Sequence, residues 1–135
     1  MENHIKVLKV EKDGIRTIIK EDIMKNELEV FNDYLQGYIE VTSAFPDGSY
    51  KGHRPISLVI NEEGKYKPLE PTIGYASGQE LIDYVVGNAV FVAVDVEGDF
   101  ASLTEEEMMA IRHKYNQNGT LQMDEVAHHI IVFSG

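Results

Sequence analysis

The run VGNAVFVAVDVEGDFASLTEEEM, residues 86–108, decides the fold class of this chain. Within it Ala89-Val90-Phe91-Val92-Ala93-Val94 is apolar without alternation, as a strand buried on both faces must be. Gly87-Asn88 opens that strand, and Asp95-Val96-Glu97-Gly98-Asp99 ends it in an acidic glycine turn. Leu103-Thr104-Glu105-Glu106-Glu107-Met108 then starts a helix. Thr104 is placed as N-cap, Glu107 as the side chain that reaches back, and Leu103 with Met108 as the hydrophobic staple. The three glutamates lie at the positive end of the helix dipole. Each carboxylate therefore has a structural reason to be there, which lowers its value as a catalytic group.

Upstream, Ile5, Val7, Leu8 and Val10 read as a strand, Lys12-Asp13-Gly14 as a hairpin turn and residues 15–19 as the returning strand. Over residues 22–35 the period changes. Met24, Leu28, Phe31 and Leu35 form one helical stripe, widened by Ile23, Val30 and Tyr34, and Gly37 stands where a helix C-terminal glycine belongs. Residues 38–42 and 56–60 read as further strands, separated by a turn-rich loop and followed by the turn Asn61-Glu62-Glu63-Gly64. Pro68 and Pro71 flank an irregular piece that cannot be a central strand. Ser77 and Glu80 have the spacing of a capping box and predict a short helix. The expectation is a single α+β domain over residues 1–135: a mostly antiparallel, mixed sheet of about five strands with two to four helices packed on it. Residues 1–107 form its core and residues 108–135 a C-terminal helical extension.

The composition, with 43% hydrophobic and 26% charged residues, is that of an ordinary globular domain. Absence of cysteine removes disulfides, thiolate metal sites and cysteine nucleophiles together. There is no run of 18 apolar residues, so no membrane span is expected. The start, MENHIKVLKVEKDG, lacks the basic and apolar stretches of a signal peptide, which predicts a cytoplasmic protein. Twelve Lys+Arg against 23 Asp+Glu give a net charge of -11, which repels a phosphate backbone and argues against direct nucleic-acid binding.

The segments GYIEV (residues 37–41), LVINEEG (58–64) and VGNAVFV with the following VEGDFASLTEE resemble, in order and spacing, domain-of-unknown-function family 3846 of phages and conjugative elements. The similarity covers about residues 5–107. Residues 65–79 and the tail from about residue 110 lie outside it. The resemblance implies a small accessory protein of a phage or mobile element, acting inside the bacterial host cell. It implies no chemistry, since no activity or catalytic residue is established for that family.

The tail holds the most specific functional pattern. Residues 114–125 can be laid on a twelve-residue EF-hand loop with Gly119 in the sixth place and Asn116, Asn118, Thr120 and Glu125 on ligand seats. Lys114 occupies the first seat, where a carboxylate belongs, so a cation is aimed at a cation site. The alternative is a helix–turn–helix closing on Asn118-Gly119. His128 and His129 are adjacent and diverge on either a helix or a strand, and no HxH or HExxH spacing occurs. No GxSxG, P-loop or GxGxxG motif is present. Asp95, Glu97 and Asp99 could act as a carboxylate cluster, although a solvated turn explains them as well.

These features predict a non-enzymatic accessory protein that needs no cofactor and binds and neutralises or modulates a host component. Its target is a host protein or a small nucleotide-like signal of bacterial defence. Lys51, His53, Arg54, Lys65 and Lys67 flank the loops around the ISLVI strand and would supply contacts to an anion. Asn61, Glu62, Glu97 and Asp99 are the further candidate ligand contacts. The rival readings are a small metal-dependent hydrolase, a degenerate EF-hand calcium module and a module acting through oligomerisation. The oligomeric state, homodimer included, stays open.

Overall fold

The computed structural model describes residues 3–134. In chain order the elements are β1 His4–Asp13, β2 Arg16–Lys25, α1 Leu28–Leu35, β3 Ile39–Ser43, β4 Ile56–Asn61, a 3₁₀ turn Gly64–Tyr66, β5 Pro71–Ser77, β6 Glu80–Val86, β7 Ala89–Val94, β8 Phe100–Ala101, α2 Glu105–Lys114, β9 Gln117–Met123 and β10 Val126–Phe133. The class is α+β. Its strands form two sheets, one of six strands in the order β2-β1-β7-β4-β3 with β8 on β7, the other of four in the order β6-β5-β10-β9. Pairing is antiparallel except between β5 and β10, which run parallel.

Strand β7 is the centre, as its unbroken apolar run predicts. Its residues alternate between two cores: Ala89, Phe91 and Ala93 face one, Val90 and Val92 the other. The first core lies between the sheets and gathers Leu8, Val10, Leu58, Ile73 and Ile131, closed by Met108, Ile111 and Tyr115 of α2 and its C-cap. The second lies under α1 and gathers Ile5, Val7, Val59, Phe31 and Leu35. The larger sheet is thus covered on both faces, which is why β7 carries no polar side chain.

Several expectations change. Strand β2 runs on to Lys25, so Met24 enters the core from a strand opposite Ile5, and α1 is confined to eight residues. The left-handed residue ending α1 is Gln36 (φ 60), not Gly37. Gly37 serves close approach instead: a Cβ there would stand 2.6 Å from Asn61 Nδ2. Ser77 and Glu80 do not cap a helix. They are paired across the β5–β6 hairpin, whose turn holds Gly78 at φ 65.

The C-terminal tail is not a helical extension. Residues 117–133 form the hairpin β9–β10, and β10 occupies an inner position of the smaller sheet. Its turn is Asp124-Glu125, with φ 50 and 65, rather than Asn118-Gly119. Gly119 lies inside β9, where a Cβ would stand 2.6 Å from Val132 Cγ2. Burial of Ile131 and Phe133 in the first core, together with that of Ile130, outweighs the turn propensity of Asn-Gly.

On one side the two sheets are tied by hydrogen bonds. Lys12 Nζ and Thr17 Oγ1, from the β1–β2 hairpin, both donate to the carbonyl of His129 on β10, at 2.7 and 2.8 Å. On the opposite side β3 and β6 are both sheet edges, unpaired with one another, and the space between them stays open.

Candidate functional site

The open side forms a groove of about 540 Å³. Strand β3 contributes Glu40 and Thr42 to its lining, and Ile60 and Tyr75 stand deeper, packed on the first core. The far wall carries Ile82, Asp83 and Tyr84 of β6, and Tyr66, 90% exposed, stands at its rim. Lys65 Nζ donates to Asp83 Oδ1 at 2.6 Å and lies 4.6 Å from the centre of the Tyr84 ring. That Lys65 hydrogen bond, with the Tyr84 N–H, holds the Asp83 carboxyl below its usual range against the effect of burial. Three carboxylates (Glu40, Glu62, Asp83) against one ammonium (Lys65) leave the lining at a net charge of -2. Aromatic faces, an apolar floor and surplus negative charge suit a neutral or cationic partner better than an anion.

A second hollow of about 460 Å³ lies at the Ser43 end of β3, beside Val41, Ser43 and Ser57. Its outer wall is the β3–β4 loop, where Phe45 stacks on Tyr50 at 5.4 Å between ring centres and Tyr50 on His53 at 4.1 Å. Lys51 and His53, two of the predicted anion contacts, are exposed on this loop.

Arg54, the third, has a different task. Its Nε and Nη2 donate to both oxygens of Glu107 at 2.7 and 2.8 Å, and Nη2 also donates to the carbonyl of Ser102 at 2.7 Å. Glu107 is 4% exposed and accepts from Thr104 N at 2.8 Å, while Thr104 Oγ1 accepts from Glu107 N at 3.1 Å, completing the predicted capping box. Burial pushes the Glu107 pKa up, but the Arg54 guanidinium and the Thr104 N–H more than offset this and hold it below the usual carboxylate value.

The remaining predicted residues scatter. Asn61 is buried and structural: Nδ2 donates to the carbonyls of Leu35 and Gln36 at 2.9 and 3.2 Å, ending α1, and Oδ1 accepts from Glu63 N at 2.8 Å. Asn61, Glu62 and Lys65 all line the groove, whereas Lys67 follows the 3₁₀ turn outside it. In the turn before β8, Asp95 Oδ1 accepts from the N–H groups of Glu97 and Asp99 at 2.9 and 3.0 Å, and Gly98 supplies φ 86. Glu97 and Asp99 thus belong to a self-satisfied turn. Asn116 just before β9, Asn118 and Thr120 within it and Glu125 in its turn are strung along the chain rather than gathered round one point. At about 3.3 Å per residue, an extended strand cannot wrap a cation. Among the described residues no three His, Asp or Glu side chains come together to hold a metal.

Glu40, Thr42, Tyr66, Tyr75, Ile82 and Tyr84 went unread in the sequence. The signal for β6 is present in ELIDYVV, residues 80–86, once Gly78 is taken as a hairpin turn rather than as the start of a capped helix. No helix among the described residues is long and apolar enough to cross a membrane. No curated protein and no solved structure matches the chain. The profile of a family described as Domain of unknown function (DUF3846) matches residues 5–116, through α2 and beyond the motifs that carry the resemblance, and the chain belongs to that family.

Proposed function

We propose that this chain is a non-enzymatic accessory protein of phages or mobile elements, which works in the bacterial cytoplasm by binding a host protein in the groove between β3 and β6. The mobile-element setting rests on the likeness of GYIEV, LVINEEG and VEGDFASLTEE to that family. The binding reading rests on the groove lining, where Ile82 is 65% exposed beside Tyr66 and Tyr84. Exposed aromatic and aliphatic side chains around a preformed hollow are what protein-recognition surfaces use.

A host protein is favoured over an anionic signal because the groove is acidic and its one cation, Lys65, is engaged by Asp83. The nucleotide version keeps one supporting observation, the Phe45–Tyr50–His53 stack beside Lys51, where a base and a phosphate would both find partners. Affinity capture from host lysate, with mass spectrometry of bound proteins and of small molecules released on denaturation, separates the two. The expected result is one host protein held by the wild type and lost by Ile82→Arg at unchanged melting temperature. A released nucleotide with no host protein would replace the reading, and capture indifferent to Ile82→Arg would remove the groove from it.

A further inference from the structure

The backbone of β3 points to how such a partner docks. Glu62 N donates to Tyr38 O at 2.8 Å, and Ala44 N donates to Ile56 O at 3.0 Å. Between those two bonds the register pairs Glu40 with Ile60 and Thr42 with Leu58. In an antiparallel pair hydrogen-bonded and non-bonded positions alternate, so residues 38, 40, 42 and 44 direct their N–H and C=O groups at β4. Ile39, Val41 and Ser43 therefore turn theirs to the outer edge, where no described strand pairs with β3.

Natural sheets protect such edges with charge, proline or bulges. Strand β2 carries Lys20, Glu21, Asp22 and Lys25, and β6 meets β5 through two register shifts. Strand β3, Ile39-Glu40-Val41-Thr42-Ser43, has no proline, no lysine and no register shift against β4. It also runs between two hollows. The acidic groove takes in Glu40 and Thr42, and the hollow at the end of the strand takes in Val41 and Ser43 together with Phe45 and Tyr50 of the following loop, which pack on the first core.

We infer that β3 is a receptor strand: its outer edge takes up an extended, basic segment of a partner protein as an added strand. The inference rests on the groove reading above and specifies its occupant. Main-chain bonds to Ile39, Val41 and Ser43 supply affinity, and alternate side chains of the guest face the groove and the exposed Val41 side of β3. Guest positions on the groove side meet Glu40, Glu62 and Asp83 and so carry Lys or Arg. Positions on the other face meet Val41, 48% exposed, and are apolar or β-branched. A second copy of the chain is the wrong occupant, because it brings the same net charge of -11 to the edge.

The test uses two short peptides as probes, one alternating Lys and Val, the other Glu and Val, with the intact protein isotopically labelled. The Lys/Val peptide is expected to bind at least about tenfold more tightly than its acidic counterpart. On binding, hydrogen exchange of the Val41 amide slows by about tenfold or more while that of Thr42, already bonded to β4, is unchanged. Val41→Pro removes an outward N–H without breaking the ladder and abolishes binding. Glu40→Lys, at an exposed position, brings the groove lining to neutral, removes the wild-type preference between the two peptides and serves where the proline variant does not fold. Equal affinity of the peptides for the wild type overturns the inference. A Val41 amide already protected in peptide-free protein that sediments as a dimer does so too, by giving the edge to a second copy. Binding that shifts Ile82 and Tyr84 resonances but leaves Val41 unprotected overturns strand addition and leaves the groove reading standing. Val41 protection together with host capture indifferent to Ile82→Arg does the reverse.

Discussion

Arg54 and Glu107, 53 positions apart, form a two-point ion pair that ties the β3–β4 loop to the first turn of α2. Glu107 is buried, so its charge stays in the fold only because the planar guanidinium and the Thr104 N–H both reach it. Removing the guanidinium leaves a buried carboxylate without its counter-ion. Arg54→Ala is expected to cost about 2–3 kcal/mol, below the ~3–5 of a fully enclosed pair, because Arg54 is partly open to water. Arg54→Lys keeps the charge but loses the two-point geometry and recovers a part of that cost. Urea unfolding of the three proteins measures both.

The same pair sets a pH dependence. Glu107 is held below its ordinary value of 4.5 in the folded state, so the folded protein favours the ionised form more than the unfolded chain does. Its stabilisation is present above that value and is lost as pH falls through the lowered folded value. The stability of wild type is therefore expected to fall more steeply below pH 4.5 than that of Glu107→Gln. Thermal melts of the two proteins over the acid range check the sign.

Tyr115, the C-cap residue of α2, donates its hydroxyl hydrogen to the carbonyl of Ala44 at 2.6 Å, so the 3.2 Å contact with Tyr75 has Tyr75 as donor. Tyr115→Phe leaves the Ala44 carbonyl and the Tyr75 hydroxyl without that partner and is expected to cost about 1–2 kcal/mol. Burial pushes the Tyr115 hydroxyl well above its ordinary value of 10, with Tyr75 adding to the effect. A raised folded value means stability that is complete below pH 10 and declines above it. Alkaline melts should show the decline, and Tyr115→Phe should lessen it.

The turn Asp124-Glu125 places two non-glycine residues at φ 50 and 65. Glu125→Gly relieves a conformation that L side chains adopt at a cost of about 1 kcal/mol, and is expected to raise stability by that order. Gly119→Ala, by contrast, drives a methyl into Val132 and lowers it. A calcium site over residues 114–125 would require the opposite result, loss of binding on Glu125→Gly. Calorimetry with millimolar calcium is expected to show no heat.

How legible the fold was depended on whether the deciding interaction was local. The capping box of α2 was readable because Thr104 and Glu107 are three positions apart and satisfy each other's backbone groups. The central strand was readable because a run of apolar residues admits no exposed face. The hairpin at Gly78 was misread because Ser77 and Glu80 satisfy the spacing of a cap equally well. The choice between helix and strand there is made by Tyr75 packing on Tyr115 and Phe133, distant in sequence. The site suffered most. Arg54 and Asn61 look like ligand contacts in one dimension, and what engages them, Glu107 and the end of α1, comes into view only on folding.

By itself the sequence determined the α+β class, the doubly buried β7, the cap of α2, the acidic surface and the lack of cysteine chemistry. Each follows from composition or from neighbours within a helical turn or strand repeat. The tertiary structure alone decided that the strands divide into two sheets, that the tail completes the smaller one through β10, and that the sheets meet at Thr17 and His129 but part at β3 and β6. Those outcomes depend on which apolar faces find one another across long stretches of chain. No local pattern encodes that choice, and the groove, with the free edge of β3, is its product.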